Sequence, residues 1–169
     1  MKLFFIVNII LSLLFVNIDS DNYVDREYHI IRNETDMDYL DEIVHIGLME
    51  LGIGKVRVTI KPMDTKVKYL VQSRNNQLLD AFIKGNGTRY VIYVSKFSKW
   101  KSIEIISHEL IHLKQYYSDD LQICKGEVAY KKKIYRGARY LEYTERPWET
   151  DAYSEGRKLK IFIEKSMKL

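Results

Sequence analysis

Apolar positions recur along the chain with two different periods, and the changes of period mark out the elements. Leu40, Ile43, Val44, Leu48 and Leu51 fall at helical spacing. Thr35, Asp36, Met37 and Asp38 precede them with an N-cap and acidic first-turn residues, and Gly52 and Gly54 stop the run. Residues 55–61 then alternate strictly and predict a strand closed by Pro62. The polar residues 63–76 predict a loop. Two more alternating stretches, Leu78–Lys84 and Thr88–Ser95, flank Gly85, Asn86 and Gly87, which tolerate positive φ, so a hairpin is expected there. From Trp100 to Tyr116 there is no Gly or Pro, and Ile103, Ile106, Leu110 and Leu113 make one helical stripe suited to the core. Its start is open between Ser98 and Ser102.

Weaker patterns fill the ends. Residues 20–34 are polar, with a short edge strand at Glu27–Ile31. Residues 116–126 read as a connection, and 127–137 as two short strands folded about Lys131, Lys132 and Lys133. Pro147 suits the first turn of a last helix running to about Lys165. This order predicts an α+β fold: an antiparallel sheet containing the hairpin, packed against the helix near residues 100–116, with N-terminal and C-terminal helices.

Length and composition narrow the class. The chain of 169 residues is long enough for one domain with a real core, and 46% hydrophobic with 30% charged residues is a globular balance. Lys2 opens a nearly unbroken apolar run from Leu3 to Ile18, which predicts a signal peptide cleaved after Ser20. An uncleaved membrane anchor is the alternative, and a buried N-terminal helix of the domain is the third reading. The expected division is residues 1–20 as leader or anchor and 21–169 as the domain, secreted, periplasmic or membrane-associated. Net charge is +4. The lysines at 131–133 read as a solvated hairpin tip, so no nucleic-acid partner is expected. Cys124 is the lone cysteine, which excludes an intrachain disulfide and a cysteine-rich zinc site and is read as a partly buried thiol.

The chemistry concentrates in residues 107–112, Ser107-His108-Glu109-Leu110-Ile111-His112. On a helix, positions four apart lie roughly 40° apart and one turn along, so both imidazoles reach one metal from the same face. Glu109 follows His108 and is directed towards a water beside that metal, as a general base would be. Catalytic zinc takes three protein ligands, so a third is needed. Gln115 and Tyr116 stand where a nearby third histidine would lie, and His29 and His45 are both upstream. The last helix offers Glu149, Asp151 and Glu155.

Residues 108–115, His108-Glu109-Leu110-Ile111-His112-Leu113-Lys114-Gln115, taken with Arg146-Pro147-Trp148-Glu149-Thr150-Asp151-Ala152-Tyr153, carry a resemblance. The pair is similar to small zincin-type, gluzincin-like metallopeptidases of phages and bacteria with HExxHxxQ followed by an Arg-Pro-x-Glu-x-Glu-Ala segment. It covers about the last third of the chain closely. The resemblance implies a zincin-like domain binding one catalytic Zn²⁺ through His108, His112 and Glu149, with Glu109 as general base and a peptide or protein as substrate. Thr150-Asp151 departs from the pattern and leaves Asp151 as an alternative ligand or a partner orienting an imidazole. Tyr140, Tyr143 and Tyr153 are candidates for stabilising an oxyanion. The contrasting function is a non-catalytic zinc-binding interaction module, against which Glu109 speaks, because a structural site has no use for a base beside an open metal position.

Overall fold

The structure is a computed structural model, and it describes residues 29–63, 80–124 and 127–169. The leader or anchor expected at 1–20 and nearly all of the loop expected at 63–76 lie outside the described residues. In chain order the elements are β1 (His29–Asn33), α1 (Tyr39–Glu50), β2 (Val56–Pro62), β3 (Ala81–Asn86), β4 (Arg89–Val94), α2 (Lys99–Tyr117), β5 (Leu121–Cys124), β6 (Glu127–Tyr130), β7 (Lys133–Tyr135) and α3 (Pro147–Ser166). Short 3₁₀ turns at Ala138–Tyr140 and Tyr143–Glu145 lead into α3.

The α+β class holds, with helices near both ends of the described chain. Four strands form the larger sheet in the order β1-β2-β4-β3. The hairpin of β3 and β4 is antiparallel as expected, but β1 joins β2 and β2 joins β4 in parallel, so this sheet is mixed. α1 crosses over between β1 and β2, which permits parallel pairing there. The hairpin turn falls at Gly87–Thr88, one step later than the glycine pattern suggests, with Gly87 at φ +53 and Asn86 paired to Arg89. Gly52 ends α1 at φ +63, and Ile53 N–H donates to the Leu48 carbonyl in the wrapped hydrogen bond of a helix C-cap.

Alternation decides which face of the sheet is buried. Val56, Val58, Ile60, Ala81, Ile83, Tyr90, Ile92 and Val94 point inward and pack under the helices. Ile103, Ile106, Leu110 and Leu113 of α2 are completely buried there, joined by Leu40, Ile43, Val44 and Leu48 of α1 and by Ala152, Leu159 and Ile163 of α3. A second, smaller core forms on the antiparallel sheet β5-β6-β7, where Leu121, Val128, Tyr130 and Ala138 enclose Trp148. The two strands expected around the lysines are β6 and β7, and their turn places Lys131 and Lys132 at φ +48 and +67. β5 is an added strand where the polar sequence suggested only a connection. Cys124 lies at its end and is exposed, contrary to the partly buried thiol expected, because β5 is an edge strand of a small sheet.

Candidate metal centre

α2 begins at Ser98, whose side chain is the N-cap, and continues for 19 residues without a break. Its apolar stripe is held by the main core, which leaves His108 and His112 turned to Glu149 of α3, with Glu109 beside them against Ile83 of β3. The approach of the two helices is close. A Cβ on Gly156 would lie 3.3 Å from His108 Cα and 3.4 Å from its nitrogen, so a side chain at 156 would press on the backbone of the motif. Pro147 opens α3, and Arg146 donates twice to the Leu141 carbonyl, at 3.2 and 3.0 Å, fixing the segment that leads into it.

Glu149 is thereby brought 37 positions back along the chain to the histidines. Nε2 of His112 lies 3.1 Å from Nε2 of His108 and 3.1 Å from Oε2 of Glu149, and His108 Nε2 lies 3.4 Å from the same oxygen. The three corners of one face of a zinc tetrahedron with bonds of about 2.0–2.1 Å are roughly 3.3–3.4 Å apart. The triangle here therefore has the size of a zinc site. These side chains are 10–16% exposed, and lone pairs this close repel unless a cation or a proton lies among them. Among the described residues this is the group of histidine and carboxylate side chains arranged to hold a metal.

The surroundings support the two imidazoles unequally. His112 Nδ1–H donates to Gln115 Oε1 at 2.8 Å, and Gln115 Nε2 donates to the Trp148 carbonyl at 3.0 Å. The second bond fixes the amide orientation, so the first keeps the Nδ1 proton of His112 directed at Gln115 and leaves Nε2 facing the cluster. His108 has no such support: its Nδ1 is buried without a hydrogen-bond partner. Its ring packs instead on Tyr153, centroids 4.7 Å apart, and its Nε2 lies 3.2 Å from the Tyr143 hydroxyl. Tyr140, the third tyrosine considered, is exposed.

Charge follows geometry. Burial opposes ionisation of Glu149, but hydrogen bonds from His108 and His112 hold its carboxyl far below the usual range. Burial likewise opposes a charged His112, yet the Glu149 carboxylate raises its pKa above the ordinary imidazole value. Glu109 is buried, and that burial raises its pKa despite the nearby histidines and a hydrogen bond from the backbone of Ile83 on β3. Burial and the charge of Glu149 keep the Tyr143 hydroxyl protonated well beyond its normal range.

Asp151 does not join this group. It accepts hydrogen bonds from the Tyr130 hydroxyl and from Lys131 Nζ, the latter at 2.7 Å, and so ties α3 to the small hairpin. Glu155 pairs with Lys158 on the exposed side of α3. His29 and His45 lie together, ring centroids 5.7 Å apart, and His29 Nε2–H donates to the Ile53 carbonyl. Gln115 is the residue whose role the sequence did not reveal. Its position three after His112, on the same helix face, is the signal that would have found it. No family model, curated protein or solved structure matches the chain, so the reading of the site rests on its geometry.

Proposed function

We propose that the chain is a zinc-dependent peptidase whose metal is held by His108, His112 and Glu149 and whose general base is Glu109. The observation that carries this reading is the triangle of 3.1, 3.1 and 3.4 Å between their ligand atoms, with a buried carboxylate one residue from the first histidine. When bound, zinc would lower the pKa of water towards about 7 and polarise the substrate carbonyl. Glu109 takes the proton of the attacking water and passes it to the leaving amine. Tyr143, still protonated and 3.2 Å from His108 Nε2, is placed to donate to the oxyanion. Gln115 keeps His112 in the tautomer that presents Nε2.

A peptide is the favoured substrate class because of the strand beside the base. β3 is an edge of the larger sheet and runs against α2, and the backbone of its Ile83 reaches Glu109. An extended peptide added along such an edge would lie with its bonds passing the base.

The test is metal analysis combined with peptide-library cleavage. One zinc per chain and chelator-sensitive cleavage are expected. Glu109→Gln should keep the zinc and lose about 10²–10⁴-fold in rate, the usual contribution of general base catalysis. A Glu109→Gln protein that cleaves as fast as the parent removes the base from the mechanism. Stoichiometric zinc with no cleavage of any peptide favours the non-catalytic module.

A further inference from the structure

The side of the larger sheet away from the helices has a composition that the peptidase reading does not use. Its outward positions fall into three rows across the strands: Ile30, Arg57, Arg89 and Asn86; then Arg32, Thr59, Val91 and Lys84; then Lys61, Tyr93 and Phe82. Five of these are cations. Glu34 at the end of β1 pairs with Arg32 at 3.0 Å and Lys61 at 3.3 Å. Arg57, Lys84 and Arg89 are exposed and have no carboxylate partner among the described residues. Arg57 and Arg89 are direct neighbours in the parallel pair, an unfavourable placement of like charges that an anion between them relieves.

We infer that this outer sheet face is a docking surface for a bilayer rich in anionic phospholipid. Neighbouring strands are about 4.8 Å apart, so the cations spread over roughly 15 Å, a width that spans several headgroups and not one small anion. Ile30, 46% exposed, and Val91 add apolar contact among the charges. The aromatic pair is arranged for an interface and not for bases. Phe82 and Tyr93 are stacked with centroids 4.7 Å apart and planes 12° from parallel, and two rings that close cannot lie flat side by side. They stand upright on the sheet with their edges outward, while Lys84 Nζ sits 5.6 and 5.8 Å from their centres. Stacking of single-stranded nucleic acid needs ring faces turned outward. Upright rings at headgroup depth suit a lipid surface. On the reading of Leu3–Ile18 as an uncleaved anchor, the ten residues 19–28 before β1 reach at most about 35 Å, so the bilayer holding that anchor is within reach of this face.

The experiment is flotation of the full-length chain with vesicles of phosphatidylcholine alone or with 30% phosphatidylserine, read as the ratio of the two partition coefficients. The ratio cancels whatever the apolar N-terminal run contributes. At about 1 kcal/mol per basic residue near an anionic surface, the ratio should be about 10–100 at 0.1 M salt and fall towards one at 0.5 M. The variant R57E/K84E/R89E should bring it to about one at either salt. K132E/K133E/K165E loses the same charge from other surfaces and should keep the parent's ratio. Three results overturn the proposal: a parent ratio near one, an equal loss in the second variant, or tighter binding of a fluorescent oligothymidylate than of the anionic vesicles.

Discussion

The two helices that meet at the candidate metal centre are held by different parts of the molecule. The buried stripe of α2 belongs to the main core, where Ile103, Ile106, Leu110 and Leu113 are inaccessible to solvent. α3 is divided. Its later residues Ala152, Leu159 and Ile163 enter the same core, but its first turn, with Glu149, is fixed by Trp148 in the small cluster on β5, β6 and β7. The histidines are therefore as firmly placed as the main sheet, and the third candidate ligand only as firmly as the small one. Tyr116 packs against both clusters, and Gln115 spans the same gap by hydrogen bonds. A metal shared across this joint would couple the two regions, since a ligand that binds only the folded state stabilises it.

The largest effect that tests this division is at Trp148. Trp148→Ala should cost about 3–5 kcal/mol, the usual range for emptying a buried aromatic site. It should also shrink the rise in Tm on adding zinc, because Glu149 loses its support while the histidines keep theirs. An undiminished zinc-dependent rise in Tm would show that the first turn of α3 stands without the small core. Gln115 sharpens the same point with a smaller effect. Gln115→Ala should weaken zinc binding by about 10–100-fold, the range for losing a partner of a ligating imidazole. Gln115→Glu keeps an acceptor for His112 Nδ1–H but removes the donor to the Trp148 carbonyl. It should keep most of the zinc affinity and lose about 0.5–1.5 kcal/mol of stability for the missing hydrogen bond. Equal loss of zinc in both variants would show that the bond to the Trp148 carbonyl, and not the acceptor offered to His112, carries the effect.

The same division explains what the sequence disclosed. α2 was legible because its apolar stripe and its HExxH spacing are local and agree with one another, although its start at Ser98 was left open against Ser102. Glu149 was reached through the resemblance of the Arg146–Tyr153 segment, since nothing local ties it to a helix 37 residues earlier. The parallel pairing of β1, β2 and β4 was not legible, because alternation fixes which face a strand buries and says nothing of its direction or its neighbours. Gln115 was passed over because it was read only as standing where a nearby third histidine would lie, and not as a support for His112. β5 was missed because three of its four residues are exposed, which leaves no alternation to read.

Asp151 gives the smallest effect and the cleanest contrast with Glu149. It lies two residues on, about 200° around the helix, and the structure turns it to Tyr130 and Lys131. Lys131, and then Tyr130, hold its carboxyl below the usual range. A depressed folded-state pKa contributes stability above the unfolded value of about 3.9 and loses it as pH falls through the folded value. Asp151→Asn should therefore destabilise at neutral pH and approach the parent's stability in strong acid. With the side chain 41% exposed, solvent screening keeps the neutral-pH loss within about 1 kcal/mol. Zinc titration should give the parent's affinity for Asp151→Asn, whereas Glu149→Ala should lose stoichiometric metal. The reverse result, zinc kept without Glu149 and lost without Asp151, would place the third ligand two residues further on and require the first turn of α3 to rotate away from the arrangement described.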